Sequence, residues 1–261
     1  MRDFRKLRHY AVVVVLSALL PACETAPVTG RNQLIVLPKS QEIQMGLQAY
    51  DEILKKEKIS TDPQANALVQ RVGKRIAAAT GEDLPWEFKV IENDKVANAF
   101  ALPGGKVAVY TGLLPITQTE AGLAAVIGHE VAHATARHGG ERVSQNLIAQ
   151  LGLAATAAAM SNRDPATVQS VIGLLGAGAT VGVALPFGRS QESEADRIGM
   201  IYMAKAGYDP RAAKDLWLRM TAASEGKQRP PEFLSTHPAE ATRIERIEKW
   251  LPEALAHYKP K

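Results

Sequence analysis

The sequence predicts an α+β fold that is mainly helical and has a small β-sheet. Most apolar residues lie in long stretches that begin at helix-capping residues and often end near glycine, whereas residues 86–110 contain segments that alternate in the manner of strands. The chain has 261 residues, of which 46% are hydrophobic. It is therefore long enough to bury one large core or two small ones.

Charge and cysteine content narrow the classes of function. The formal net charge is +4, but residues 1–22 hold four basic residues and one acidic residue, so the remainder carries a net charge of only +1. Nothing in that balance indicates a nucleic-acid partner. Cys23 is the single cysteine, which excludes an internal disulfide.

Two helices are predicted before the strands, over residues 40–57 and 63–80. Asp62 followed by Pro63 is a typical helix start, with an N-cap residue and a proline in the first turn. Gly81 is expected to end the second helix.

The predicted strands are residues 86–91 and the two arms of a hairpin within residues 96–110. Pro103 has no N–H to donate, so the first arm is expected to end there or to lie at a sheet edge. An edge strand formed by Asn98, Ala99, Phe100 and Ala101 could bind an extended substrate peptide by backbone pairing. An ordinary hairpin without a binding role is the alternative, and spacing alone favours it.

Residues 121–138 hold the motif that points to chemistry, His129-Glu130-Val131-Ala132-His133. Thr117 with Glu120 forms a capping-box pattern that predicts the helix start. Positions i and i+4 lie about 40° apart on a helix. His129 and His133 can therefore bind one metal ion, with Glu130 placed to act on a metal-bound water. His138 would lie about 140° round from His133 on a continuous helix, which places it at the surface or the helix end.

Catalytic zinc needs a third protein ligand. Glu192 and Asp196 are one turn apart, so Glu192 could bind the metal while Asp196 accepts a hydrogen bond from a ligand histidine. Spacing alone leaves Glu194 as a close rival to Glu192. An acidic, solvated helix start is the structural alternative.

The segment Leu-Ser-Thr-His237-Pro precedes a helix predicted over residues 239–249, which contains Arg243. In one interpretation, His237 only precedes a proline in the first helical turn. The other is a loop that returns to the metal. His237 would then hold the enzyme latent as a fourth ligand or, displaced, donate to the oxyanion.

Residues 1–22 have the pattern of a signal peptide, with a basic start and an apolar run too short to span a bilayer. Leu20-Pro21-Ala22-Cys23 resembles a bacterial lipobox, in which Cys23 becomes the lipidated first residue. A simple secretory signal or an uncleaved anchor is the alternative. Residues 23–39 are then a lipidated linker and residues 40–261 the catalytic domain.

The uncharged stretch 169–188 is long enough to cross a membrane. Its five glycines and Pro186 favour a buried helix or a flap over the site instead.

Four motifs together resemble the HtpX/CAAX-prenyl-endopeptidase family of zinc metallopeptidases. They are H-E-x-x-H, R-S-x-E-x-x-A-D from Arg189, N-A-F-A-x-P-G-G from Asn98 and S-T-H-P from Ser235. The likeness covers about residues 40–250, and the bacterial LoiP-like lipoprotein branch is similar in size and plan. Other branches carry several membrane spans or a helical-repeat region.

The resemblance implies a zincin-like domain with zinc as cofactor and Glu192 as the third ligand. It also implies Asp196 and Arg243 as outer partners, Glu130 and His237 as catalytic residues, and unfolded or misfolded envelope polypeptides as substrates. The expected protein is a hydrolase of protein quality control, lipid-anchored on the periplasmic side of a bacterial membrane. Because Glu24 is not the usual inner-membrane aspartate, the outer membrane is favoured. The alternative is a non-enzymatic lipoprotein that binds partners through a structural metal site, and an intact Glu130 argues against it.

Overall fold

The computed structural model describes residues 23–161, 163–164, 166–167, 169, 188–224, 231–237 and 242–260. The predicted signal peptide and residues 170–187 lie outside the described residues, so the interpretations of both stretches stay predictions. Among the described helices, none combines the length and apolar character that a membrane crossing requires.

The architecture is mainly helical with a small sheet, as the sequence predicts. In chain order the elements are β1 (Cys23–Thr25), β2 (Asn32–Leu34), α1 (Lys39–Lys56), α2 (Pro63–Thr80), β3 (Glu87–Ile91), β4 (Ala99–Leu102), β5 (Lys106–Tyr110), a 3-10 turn (Thr111–Leu113), α3 (Leu114–Thr117), α4 (Glu120–Thr135), α5 (His138–Ala159), α6 (Arg189–Lys205), α7 (Ala212–Ser224), α8 (Glu232–Thr236) and α9 (Arg243–Ala256).

The chain divides into two compact units, of which the smaller consists of Met1–Pro38 and Gly140–Ala184. In its described part, β1 and β2 form an antiparallel hairpin. Arg31 makes a two-pronged ion pair with Glu141 at 2.7 and 2.8 Å, and Gln33 donates to the same carboxylate at 3.3 Å. The hairpin is thereby fixed to the first turns of α5 by buried and half-buried polar contacts.

The larger unit consists of Lys39–Gly139 and Leu185–Lys261. Its helix α2 begins and ends where the sequence predicts: Asp62 caps the N-terminus by accepting from two backbone N–H groups, and Gly81 ends it with φ of 76°. Buried α2 residues such as Val69, Val72 and Ile76 pack on α4 and β3. The cap and the apolar face together fix this helix.

The sheet of the larger unit has the order β3-β5-β4, with β3 parallel and β4 antiparallel to β5. The predicted hairpin is confirmed, and its turn contains Gly104 and Gly105 with φ of 87° and 77°. Among the described strands, β4 is therefore the outer one on the side that packs against α4.

Helix α4 is capped by Thr119, and the predicted cap at Thr117 is wrong. The Thr119 side chain accepts from the N–H of Gly122 at 3.0 Å, whereas Thr117 donates to Leu114 in the preceding turn. The physical reason is the backbone at Gln118, whose positive φ of 59° separates the two helices. The capping residue therefore lies two positions later than the sequence pattern suggests.

Helix α4 ends at Thr135, and a new helix begins at His138. Arg137 lies between the two helices in a left-handed conformation, with φ of 53°. Such a backbone costs about 1–2 kcal/mol for a residue other than glycine. The Arg137 guanidinium pairs with the buried carboxylate of Glu42 at 2.7 and 2.8 Å, which offsets that cost.

Helices α4 and α6 cross at Gly128 and Gly199 with their backbones in contact. A Cβ on Gly199 would lie 2.8 Å from the carbonyl carbon of Gly128 and 2.8 Å from the backbone nitrogen of His129. A Cβ on Gly128 would lie 2.9 Å from the carbonyl oxygen of Gly199. No side chain fits at either position without moving one helix away from the other.

The last helix differs from the prediction at its end. Helix α9 runs to Ala256 through Pro252, whereas residues 239–249 were expected; residues 239–241 lie outside the described residues. Ile247 and Ala254, two turns apart on either side of Pro252, are both buried. Packing on both sides of the proline therefore keeps the helix in one piece despite the lost N–H.

We predict that Gly199→Ala lowers the thermal unfolding temperature by several degrees. Overpacking a close contact costs about 1–3 kcal/mol, which exceeds the gain in helix propensity from alanine. Gly152→Ala is the matched control, because a Cβ there meets nothing within 4 Å. It should leave the melting temperature unchanged or raise it slightly, and equal melting temperatures of the two variants would contradict the prediction.

Candidate metal centre and active site

Four buried side chains of the larger unit converge on one point: His129, His133, Glu192 and His237. Their ligand atoms all lie within 4.8 Å of one another. The Nε2 atoms of His129 and His133 are 3.1 Å apart. Glu192 oxygens lie 3.5 Å from His129 Nε2 and 3.3 Å from His133 Nε2.

These separations fit a tetrahedral zinc site. With metal–ligand bonds of about 2.0–2.1 Å, two ligands of a tetrahedral ion lie about 3.3 Å apart. Three imidazoles and one carboxylate are also the donor types that zinc prefers. The residues present therefore suit this metal in chemistry and in spacing.

The two crossing helices hold the ligands. His129 and His133 project from α4, and Glu192 lies in the first turn of α6, which also carries Asp196 and Glu194. Because Gly128 and Gly199 bring the two backbones into contact, the imidazoles and the carboxylate reach the same point.

Two charged groups lie behind His129. Its Nδ1 lies 2.9 Å from Asp196 Oδ1, so the ring donates to that carboxylate. Arg243 donates to the same oxygen at 2.7 Å and lies 3.2 Å from a Glu192 oxygen. The Arg243 guanidinium also lies over the Trp217 ring at 3.3 Å. The structure therefore brings Asp196 and Arg243 together at the back of the ligand cluster.

The charges of the cluster favour a cation. Burial lowers the pKa of His129, but the carboxylates of Glu192 and Asp196 outweigh burial and raise it to about 9. Burial raises the pKa of Glu192, and the surrounding imidazoles lower it far more, to well below its usual range. A positive charge at this point, whether a proton or a metal ion, is thus strongly stabilised by the carboxylates.

Glu130 lies beside the ligands without belonging to them. Its Oε1 is 3.2 Å from Nε2 of His237, and the backbone N–H of Ala101 in β4 faces its carboxylate and acts to lower its pKa. Burial raises the pKa of Glu130, which brings a carboxylate closer to the range of an effective general base.

His237 ends helix α8 and is 2% exposed. Its Nδ1 lies 2.8 Å from Glu192 Oε1 and 3.2 Å from His129 Nε2, so the loop returns to the ligand cluster. The ring packs on Phe233 with centroids 4.6 Å apart. The Phe233 N–H donates to the carbonyl of Ala97, which ties α8 to the segment before β4.

His138 was expected at the surface or at the helix end. It does lie at a helix end, as the first residue of α5, but the surface position is wrong. That position assumed a continuous helix, which the left-handed residue Arg137 interrupts. His138 is fully buried, 2.9 Å from Nδ1 of His133 and 3.0 Å from Glu194 Oε2. Glu194 thus reaches the cluster through His138, and the carboxylate beside His129 and His133 is that of Glu192. The left-handed residue is Arg137 and not a glycine, so the local sequence does not mark the turn.

Strand β4 and Asn98, the residue before it, lie beside the cluster, and this segment includes Ala99, Phe100 and Ala101. The Asn98 carbonyl accepts from Tyr110 of β5, and its side chain accepts from the N–H of Ala99 at 2.9 Å. The N–H groups of Ala99 and Ala101 therefore point away from β5, one to the Asn98 amide and one to Glu130. Backbone groups of an edge strand thus lie within reach of the general-base candidate.

Comparison with known proteins agrees with this geometry. The model of peptidase family M48 matches residues 63–251. The mitochondrial metalloendopeptidase OMA1 of Schizosaccharomyces pombe is 39% identical over 237 residues, covering 88% of this chain and 67% of the relative. The Saccharomyces cerevisiae protein of that name is 32% identical over 265 residues, covering 90% of this chain and 71% of the relative.

A bacterial relative is the β-barrel assembly-enhancing protease of Escherichia coli. It is 30% identical over 256 residues, which cover 92% of this chain and 52% of the relative. The chain therefore spans about two thirds of the two fungal relatives and about half of this bacterial one.

Proposed function

Because the chain belongs to peptidase family M48 and is a metalloendopeptidase, we propose that it holds zinc through His129, His133 and Glu192 and cleaves misfolded or unassembled proteins of the bacterial cell envelope. The observation that carries the zinc chemistry is the convergence of these three ligand groups and His237 in one buried cluster, with the Glu130 carboxylate 3.2 Å from His237. A ligand cluster with an adjacent buried base is the arrangement that peptide hydrolysis requires.

When bound, zinc lowers the pKa of a water molecule towards neutrality and polarises the scissile carbonyl. Glu130 accepts the proton from the attacking water and passes it to the leaving amine. Asp196 and Arg243 hold the His129 ring in the orientation that ligation needs, through the 2.9 and 2.7 Å contacts to the shared oxygen. Each of these groups acts from a buried position, where electrostatic interactions are strong.

We place the substrate backbone along β4. The strand is the outer one of the described sheet, and Ala99 and Ala101 direct their N–H groups away from β5. An extended peptide that pairs there exchanges these contacts for main-chain hydrogen bonds and lies beside Glu130. The Asn98 amide, which covers the Ala99 N–H, is the group that a substrate has to displace.

The non-enzymatic alternative does not account for Glu130. A purely structural metal site is closed by its ligands and has no need of a buried carboxylate next to them. The metalloendopeptidase relatives also argue against it.

The residues before the catalytic domain support three parts of the proposal: a location in the cell envelope, membership of the LoiP-like lipoprotein branch, and a lipid anchor. The basic start, short apolar run and Leu-Pro-Ala-Cys23 have the order of a lipoprotein signal. Lipid chains on Cys23 would anchor the enzyme on the periplasmic side, with the outer membrane favoured by Glu24. The name of the Escherichia coli relative, an assembly-enhancing protease, is compatible with envelope quality control.

His237 is proposed as a latch. Its Nδ1 lies within hydrogen-bond distance of His129 Nε2 and Glu192 Oε1, so the ring would serve as a fourth ligand of a bound zinc ion. Release of His237 would free the position that a catalytic water needs.

We predict that Glu130→Gln retains zinc and the fold but cleaves unfolded casein at least about 100-fold more slowly, because only the proton-transfer group is lost. Metal analysis and initial rates on the same preparation measure both properties. Glu120→Gln is the matched control, since Glu120 lies on the same helix and pairs with Arg71 at the surface. Wild-type activity in Glu130→Gln would remove Glu130 as the base.

For the latch, His237→Ala should raise kcat/KM for casein several-fold with zinc retained. If His237 instead donates to the oxyanion, its loss should have the opposite effect and reduce cleavage about tenfold or more. His257→Ala, at an exposed histidine after α9, controls for the loss of an imidazole. A rate equal to that of the control would leave His237 with a structural role only.

Lipidation is tested by Cys23→Ser in a bacterial host. The variant should lose incorporation of radiolabelled palmitate and leave the membrane fraction in a carbonate wash, since no acyl chains are attached. Ser17→Ala, in the apolar run, is the control and should stay anchored. A Cys23→Ser protein that remains wholly in the membrane would show a second anchor.

A further inference from the structure

His138 and Glu194 form a hydrogen-bonded pair directly behind the ligand His133. The three side chains are buried in the larger unit. Nδ1 of His133 lies 2.9 Å from Nδ1 of His138, and Nε2 of His138 lies 3.0 Å from a Glu194 oxygen. The chain of contacts therefore runs from a carboxylate, through one imidazole, to the imidazole that faces the metal position.

The donor and acceptor of each of these two hydrogen bonds can be assigned by counting the protons that the three side chains carry. A carboxylate only accepts, so Nε2 of His138 carries the proton that faces Glu194. Nδ1 of the same neutral ring is then an acceptor, and Nδ1 of His133 must donate to it. A neutral His133 with its proton on Nδ1 has an unprotonated Nε2, which is the atom that faces His129 and Glu192.

The reverse order of protons would disable the site. If Nδ1 of His138 donated, Nδ1 of His133 would have to accept, and a neutral His133 would then carry its proton on Nε2. That nitrogen could not bind a metal ion. Because the Glu194 carboxylate holds the His138 proton on Nε2, a neutral His138 has no second proton to donate from Nδ1.

We propose that His138 and Glu194 are positioning residues of the metal centre, which fix His133 in the tautomer that ligates zinc. This inference rests on the proposed zinc chemistry. The two ligand histidines of α4 are then held in different ways: His129 by a carboxylate directly, and His133 by a carboxylate acting through a second imidazole.

Helix α6 supplies three acidic groups, one that faces the metal position, one that contacts His129 and one that contacts His138. Glu192 faces the metal position, Asp196 lies one turn further along on the same side and contacts His129, and Glu194 points elsewhere and reaches His138. A metal-binding helix with alternating acids thus provides the ligand and both outer carboxylates. The left-handed turn at Arg137, paired with Glu42, places His138 where Glu194 can meet it.

The first experiment measures zinc affinity of the full chain by competition with a chromophoric chelator. Glu194→Gln should bind zinc about 10–100-fold more weakly, because an amide can present a proton to His138 and no longer fixes the order. His138→Leu should show a similar loss, and His138→Asn, whose amide oxygen can accept near the Nδ1 position, should retain more affinity. Melting curves of the metal-free variants separate this effect from unfolding.

Two variants bracket the measurement. Glu253→Gln should leave the affinity unchanged. It removes an acid of α9 that pairs with Arg197 of α6, the helix that carries Glu194. Glu192→Gln should lose stoichiometric zinc as a ligand variant. An unaltered chain that binds no zinc would refute the proposed function itself, whereas tight binding with an unchanged affinity in Glu194→Gln would refute only the positioning role.

The second experiment reads the protons directly and needs no variant. Long-range proton–nitrogen NMR correlation on the zinc-loaded, ¹⁵N-histidine-labelled chain reports which ring nitrogen of each histidine carries hydrogen. We expect His133 protonated on Nδ1 and His138 on Nε2 alone. A proton on Nδ1 of His138 would overturn the proposal.

Discussion

The contact between α4 and α6 at Gly128 and Gly199 is the constraint on which the rest of the site depends. At that crossing neither backbone carries a side chain, and the helices approach until a single methyl group would collide with main-chain atoms. The ligand imidazoles lie on one helix and the carboxylates on the other. A wider separation would withdraw Glu192 from the histidines and Asp196 from His129, so metal binding and helix packing are aspects of the same geometry.

A second constraint is the accumulation of buried charge. Glu130, Glu192, Glu194, Asp196 and Arg243 are each almost completely buried. Burying isolated charges is very costly, and such groups persist only where they are paired. Here the carboxylates face imidazoles, and the single guanidinium bridges two of them while resting on Trp217. A metal ion held between these carboxylates would bind only the folded state and would therefore stabilise it.

Much of this arrangement could be predicted from the sequence, since local signals carry it. The caps at Asp62 and Gly81, the alternating strands, and the one-turn spacing of His129 with His133 are properties of neighbouring residues. Long-range features were beyond such signals: spacing could not decide between Glu192 and Glu194, and the family resemblance was needed. The break at Arg137 was missed because arginine seldom adopts a left-handed backbone. Its partner, Glu42, lies 95 residues earlier in the chain.

The outward N–H groups of β4 have a consequence for which proteins the enzyme would attack. A strand that offers main-chain hydrogen bonds recognises an extended backbone, whatever its side chains are. In a folded client those backbone groups are already paired within its own helices and sheets. Cleavage would then require prior local opening of the client, and its rate would follow the client's opening free energy more closely than its sequence. The enzyme would thus select substrates by their instability. A protein that folds or assembles quickly would not be cleaved, whereas one that often populates an open state would be degraded.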